Sequence, residues 1–209
     1  MRYYPLFLDM AGRPCIVIGG GPVAERKAEG LLHVQADVTI VGPNLTELLV
    51  SLVMQKKIRH IAREYRKGDL AGFVLAFAAT DDSEVNAAVC GDARDLGIWV
   101  NVADDPSHCD FILPALLRRG ELMVAVSSGG SSPALARAIR EELEGYFTED
   151  YATLAEVVGE VRGELKSRFL SPGAEAWRRA LNGELRALIR DGSREKARNY
   201  LLKQLGVDA

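Results

Sequence analysis

The sequence predicts an α/β fold: a parallel sheet with helices on its faces, then a small mixed segment, then a helical C-terminal region. Three observations predict it. Short β-branched, apolar runs recur at residues 15–18, 37–41, 58–62, 73–79 and 98–102, with helical patterns between most of them. The first run passes at once into Gly19-Gly20-Gly21-Pro22 and then an apolar stripe at Val23, Ala24, Ala28, Leu31 and Leu32. From residue 146 strand-like runs disappear, and three helical patterns follow at 151–169, 174–189 and 194–205. Ser171-Pro172-Gly173 and Asp191-Gly192 break them.

The strand–glycine–helix unit carries the first chemical reading. Gly19, Gly21 and Ala24 fall on the G-x-G-x-x-A spacing of a Rossmann-like dinucleotide site. The first Gly makes the tight turn, the second admits a pyrophosphate to the backbone, and the small third residue lets helix and strand pack closely. Pro22 suits the first helical turn, where its missing N–H costs nothing, and Val23 follows it. The unpaired N–H groups and the dipole of that helix end would hold phosphates. The competing reading is a tight βα turn that binds nothing. Lys27 and Arg26 could reach a phosphate, but a solvated helix face is the preferred reading for both.

Around this unit, residues 3–8 read as a short strand pairing at a sheet edge, and 9–14 as a turn. The second strand ends at Gly42-Pro43-Asn44, and the carboxylate that usually grips the adenine ribose is missing there. Pro43 and Asn44 take that place, with Asn44 or backbone groups as substitutes. No Arg stands immediately there to favour a 2′-phosphate, so NAD is expected over NADP. Residues 45–53 read as a helix and 65–70 as a turn or short helical piece. The strand at 73–79 ends in Thr80-Asp81-Asp82; ligands bind beyond the carboxyl ends of such strands, so Thr80 and Asp81 should line the cofactor crevice. A helix is expected over 83–96.

After the strand at 98–102 comes Asp104-Asp105-Pro106, with His108, Cys109 and Asp110 close behind. Asp105 and Asp110 read as turn carboxylates capping local N–H groups, and His108 as an exposed loop residue. Two strands at 111–116 and 121–127 are joined by a basic turn at 117–120. The loop Ser127-Ser128-Gly129-Gly130-Ser131-Ser132-Pro133 then leads into a helix, with Ser132 as N-cap, Pro133 in the first turn, and Leu135, Ile139 and Leu143 as its buried stripe. Such a loop can hold an anion or serve as an ordinary connector. The helical tail is too small for a confident independent domain, and its stripes are expected to pack on the first domain or on another subunit.

Composition excludes several classes. The chain has 209 residues and a net charge of -3, which gives no case for nucleic acid. No run reaches transmembrane length, and the N-terminus does not read as a signal peptide. Three scattered cysteines fit a reducing cytoplasm, and neither they nor the three histidines show metal-ligand spacing.

Several linked segments together resemble precorrin-2 dehydrogenase, the N-terminal module of sirohaem synthase. They are Pro5 to Leu8, the stretch from Val17 through Lys27, Ala78 through Asp82, Asn101 through Pro106, Cys109 through Ile112, and Val124 through Arg137, in the family's order. The resemblance covers the first two-thirds of the chain. It implies a Rossmann-like domain over 1–113, a small α+β dimerisation and substrate-cleft segment over 114–146, and a helical region over 147–209. It implies NAD-dependent oxidation of precorrin-2 to sirohydrochlorin, with Fe²⁺ insertion to sirohaem in some members, by a homodimer. It points to Asp104 as the catalytic carboxylate. Ser128 matches a substrate-cleft serine that is phosphorylated in some members. Longer members fuse a methyltransferase behind this module, for which these residues leave no room.

The residues suit that chemistry. A carboxylate near the nicotinamide could take a proton or steady developing charge. Ser127, Ser128, Gly129, Gly130 and Arg137, with Arg118, Arg119 and Arg140 as further cations, could hold substrate carboxylates; solvated surface charge is the plain alternative for each arginine. Two rivals stand beside this reading: an NAD-binding redox or ligand sensor without turnover, and an unrelated NAD-dependent dehydrogenase of small substrates. The latter would usually offer a catalytic His or a Lys/Tyr pair.

Overall fold

A computed structural model describes residues 3–103 and 105–207. Asp104, the expected catalytic carboxylate, lies outside the described residues. The chain divides at Leu113 into two units.

The first unit is built on five parallel strands: β1 (Pro14–Ile18), β2 (Asp37–Val41), β3 (Arg59–Ile61), β4 (Leu75–Ala78) and β5 (Trp99–Val102). Their order is β3-β2-β1-β4-β5, so the chain leaves β1 toward β2 on one side and returns to β4 on the other. Cys15 stands beside Val38 on one neighbour and Leu75 on the other, and Ile18 beside Val41 and Ala78. Both faces are covered, which explains the near-continuous apolar runs. Cys15, Val17, Val38, Ile40 and Phe77 pack under Ala24, Ala28 and Leu31 of α1 (Pro22–His33) and under Leu49 and Leu52 of α2 (Glu47–Met54). Ile16, Ile18, Val41, Ala76, Ala78 and Val100 pack on the other face, with Val89, Cys90 and Ala93 of α3 (Ser83–Leu96).

The expected strand at 3–8 does not form. Those residues join no strand ladder, and Tyr4, Leu6, Phe7 and Leu8 are exposed. Pro5 has no N–H to give a ladder. Met10 packs against the core of the first unit, and the Gly12 N–H donates to the Gln35 carbonyl at 2.8 Å.

The second unit opens with an antiparallel hairpin, β6 (Ala115–Arg119) and β7 (Leu122–Val126). The turn is tighter than the basic turn read from sequence. Leu117 is buried and Arg118 and Arg119 are strand residues, so only Gly120, at φ +56°, and Glu121 make the turn. Five helices follow: α4 (Pro133–Tyr146), α5 (Asp150–Ser167), α6 (Ala174–Ala180), α7 (Gly183–Arg190) and α8 (Arg194–Gln204). The single helix expected over 174–189 is two helices. Asn182 accepts from the N–H groups of Glu184 and Leu185 and so starts a new helix. The tail also has a core of its own. Val157, Val161, Leu165, Leu185, Ile189, Leu201 and Leu202 pack on one another. In α4 the expected buried stripe is largely uncovered: Leu135 is 53% exposed and Ile139 36%, and Ala136 alone is buried.

Candidate functional site

The strands of the first unit end together, and the crossover between β1 and β4 makes a crevice there. Gly19 leaves β1 at φ +119°, and a Cβ on it would stand 2.2 Å from the Ala79 carbonyl oxygen. The sequence reading gave no weight to Gly20, yet it is the most confined glycine of the turn. A Cβ there would lie 1.9 Å from the Asn44 carbonyl oxygen. The Gly20 carbonyl accepts from Thr46 N–H at 3.0 Å, and Gly19 N–H donates to the Val41 carbonyl at 2.8 Å. The turn is thus fixed by backbone on both sides. Gly21 differs: nothing lies within 4 Å of the place its Cβ would take. It is the N-cap of α1, with Pro22 in the first turn, Val23 half-buried and Ala24 buried against the sheet.

That helix start carries no side-chain cap. In the same unit Thr46 caps α2 and Asp82 caps α3, through Glu84 N–H at 2.8 Å and Val85 N–H at 3.2 Å. The α1 N-terminus therefore keeps open backbone donors, a positive dipole end and open space above Gly21. Those features fit the pyrophosphate of a dinucleotide.

Pro43 and Asn44 are exposed beside this turn. The Asn44 carbonyl, rather than its side chain, faces Gly20. His60 Nε2 pairs with the Gly42 carbonyl at 2.8 Å. Arg63, in the loop after β3, is held by both Asp69 oxygens at 2.7 and 2.8 Å, and the guanidinium holds the Asp69 carboxyl below its usual range. Its Nη1 also donates to the Glu64 carbonyl at 2.9 Å.

At the end of β4, Thr80 is tied to a residue the sequence reading passed over. Its hydroxyl and N–H donate to Asn86 Oδ1 at 2.9 and 3.3 Å, and Asn86 Nδ2 returns a bond to the Thr80 carbonyl at 2.9 Å. Asp81 is exposed at the rim. Beside them Ser83, Asn86, Val102, Ala103, Asp105 and His108 line a recess of about 430 Å³.

The segment that holds position 104 is framed by sulfur. Cys109 Sγ accepts from Val102 N–H at 3.2 Å and donates toward the carbonyls of Val102 (3.3 Å) and Asp105 (3.2 Å). Burial pushes the Cys109 thiol up, so it stays neutral. Asn101, buried on β5, donates through Nδ2 to the Phe111 carbonyl at 3.0 Å and to Cys109 Sγ at 3.4 Å. The Asp105 carboxyl accepts from Ser107 Oγ at 2.5 Å and pairs with His108 Nδ1 at 2.6 Å, which holds it below its usual range. Asp110 accepts from Val100 N–H at 2.9 Å, a tie to the strand rather than the local cap expected. Lys27 is not on a solvated face as read from the sequence. It turns inward, its Nζ 3.3 Å from Asn101 Oδ1 and 5.2 Å from the centre of the Phe77 ring. Arg26 is exposed as expected.

In the second unit the serine loop closes on itself. Ser128 Oγ accepts from Ser132 N–H at 2.8 Å and donates to the Ser132 carbonyl at 2.9 Å. Ser127 Oγ accepts from Gly129 N–H at 3.1 Å, and Gly129 and Gly130 take φ +65° and +87°. Ser132 caps α4 through Leu135 N–H at 3.2 Å. Arg137 is exposed on that helix. Two other expected cations are engaged: Arg119 donates to the Phe147 carbonyl at 2.7 Å and pairs with Glu149, and Arg140 pairs with Glu141 and Glu144. Arg118 Nε is buried without a hydrogen-bond partner among the described residues. No group of three or more His, Cys, Asp or Glu among the described residues could hold a metal ion. Among those residues no helix is long and apolar enough to cross a membrane.

Residues 6–115 match a family described as Putative NAD(P)-binding, and residues 119–146 match one described as Sirohaem biosynthesis protein central. The chain is 41% identical to the sirohaem synthase of Nitrosomonas europaea over 208 residues, 98% of this chain and 44% of that protein. It is 38% identical to that of Photobacterium profundum over 204 residues, 97% of this chain and 44% of the relative. It thus spans less than half the length of these relatives. Among solved structures it resembles SirC, precorrin-2 dehydrogenase, with a TM-score of 0.71 and 26% identity, covering 98% of this chain and 99% of the other.

Proposed function

This chain belongs to the NAD(P)-binding family of sirohaem biosynthesis, and on that premise we propose that it oxidises precorrin-2 to sirohydrochlorin with NAD as acceptor. The observation that carries the reading is the uncapped α1 N-terminus above the glycine turn, in a chain that matches a precorrin-2 dehydrogenase from end to end. Bound NAD supplies a nicotinamide that accepts one hydride.

Gly19 and Gly20 hold the turn, and Gly21, Pro22, Val23 and Ala24 present the helix end to the phosphates. Pro43 and Asn44 flank the adenosine half, and Thr80 and Asp81 the nicotinamide half. No arginine stands immediately beside Pro43 and Asn44 to meet a 2′-phosphate, which supports NAD over NADP. The oxidation removes two hydrogens from the substrate: a hydride to the cofactor, and a proton that Asp104 accepts and returns to water. Ser127, Ser128, Gly129, Gly130 and Arg137 meet the substrate carboxylates, Arg137 as the exposed cation of that group.

The working form is a homodimer, supported by the uncovered Leu135 and Ile139 on α4. The domains are 1–113 for NAD, 114–146 for dimerisation and the substrate cleft, and 147–209 for the helical region. Fe²⁺ is a second substrate, inserted into sirohydrochlorin while Asp104 relays the pyrrole protons. The cytoplasm is the compartment, supported by three free, buried cysteines.

The test is anaerobic incubation of the purified protein with precorrin-2 and NAD⁺, then Fe²⁺, followed by absorbance. NAD-dependent sirohydrochlorin formation is expected, with kcat roughly 10²–10⁴-fold lower in Asp104→Asn. Sirohaem forming faster than without protein adds the metal insertion. NAD binding with no turnover would instead support a sensor.

A further inference from the structure

No carboxylate follows β2 at Gly42-Pro43-Asn44, yet one reaches that loop from another element. Glu25 lies in the first turn of α1, its N–H donating to the Gly21 carbonyl at 3.0 Å. Its half-buried side chain leaves the helix toward the loop after β2, where Oε2 accepts from the Thr46 hydroxyl. Thr46 is a joint between three elements. Its N–H donates to the Gly20 carbonyl at 3.0 Å, and its Oγ1 accepts from Leu49 N–H at 3.3 Å as the cap of α2. The hydroxyl proton goes to Glu25. The same loop brings the Asn44 carbonyl onto the glycine turn and leaves Pro43 and Asn44 exposed. Glu25 is therefore tied to the loop that carries the adenosine lining, and it stands in the first turn of the helix that receives the pyrophosphate.

This carboxylate is only half engaged. Among the described residues Oε1 accepts no hydrogen bond, and no Lys, Arg or His pairs with Glu25. Such a group has an oxygen to offer a ribose hydroxyl and a charge that repels a 2′-phosphate. An acid that only complements the helix dipole, or only tethers the α2 cap, would not tell one dinucleotide from another. We propose that Glu25 supplies from α1 the ribose-binding carboxylate missing after β2, and so sets the choice of NAD over NADP. The inference rests on the dinucleotide reading of the glycine turn.

The experiment is calorimetric titration of the full, ligand-free chain with NAD⁺, with NADP⁺ and with an NAD⁺ analogue lacking the adenosine 2′-hydroxyl. The wild type should bind NAD⁺ more tightly than either. Glu25→Gln keeps the size of the side chain and an acceptor for Thr46. In it NAD⁺ affinity should fall roughly tenfold, and the preference over NADP⁺ by at least as much, because the repulsion is lost as well. The variant should also cease to distinguish NAD⁺ from the deoxy analogue. Glu25→Ala should show the same loss of preference, so either folded variant decides. Thr46→Ser, which keeps the hydroxyl, should retain the wild-type preference. An unchanged NAD⁺-to-NADP⁺ ratio in a variant with native circular dichroism overturns the inference and leaves NAD binding standing. A wild type that binds no dinucleotide sinks the reading of the glycine turn and the inference with it.

Discussion

Two turns rich in small residues lead into helices here, and they spend their polar groups in opposite ways. At 19–22 the backbone is pinned from both sides, yet the helix it starts has no cap and open space before it. At 127–133 the hydroxyls of Ser127, Ser128 and Ser132 are all turned inward, and the helix is capped. Both would pass as anion loops on composition. The first has donors to offer, whereas the second must open bonds of its own, or use the exposed Arg137, to meet an anion. Composition marks where a loop can bind; the bookkeeping of N–H groups decides whether it is ready to.

The sharpest way to break this contrast is Gly20→Ala. Its methyl would overlap the Asn44 carbonyl, and neither backbone can yield without moving a strand end. A loss of roughly 3 kcal/mol or more is expected, read as a lowered thermal midpoint. Gly21→Ala separates binding from folding. Its methyl meets nothing in the protein, so the thermal midpoint should hold while NAD binding weakens at least tenfold, about 1.4 kcal/mol by calorimetry. If both substitutions unfold the chain alike, the open cradle is not there.

In the second turn, Ser128→Ala removes a donor and an acceptor at once and should cost roughly 1 to 1.5 kcal/mol of stability, with NAD affinity unchanged. Ser132→Ala loses the cap of α4 and should cost about 1 kcal/mol by denaturant titration. The smallest effect concerns pH at the rim of the first turn. The Asp69 carboxyl is depressed by Arg63, so this pair stabilises the fold fully above the ordinary aspartate range, near pH 4, and the benefit is lost as pH falls through the lower folded value. Asp69→Asn should therefore be less stable than wild type at pH 7, and the two curves should converge as the solution is acidified below the ordinary aspartate range.

The strand–glycine–helix unit was legible because every part of it is local: a β-branched run, three glycines, a proline and a stripe at helical spacing. Gly20 was not, since its constraint comes from Asn44 on another strand's loop. Lys27 and Asn101 are 74 residues apart, and periodicity says nothing about a side chain that crosses two strands. In the tail, the continuing apolar period hid the break at Asn182, although an Asn followed by Gly is itself a cap signal. In α4 the stripe was read correctly as apolar, but a pattern along one chain does not state what covers it.

The contact between Gly20 and Asn44 is made by main-chain atoms alone. The fit of the glycine turn against this loop therefore does not depend on which side chain stands at position 44. Pro43 and Asn44, the proposed adenosine lining, are both exposed beside that fixed frame. A designer wishing to retune the preferred adenosine can rewrite the lining freely and leave the three glycines as they are.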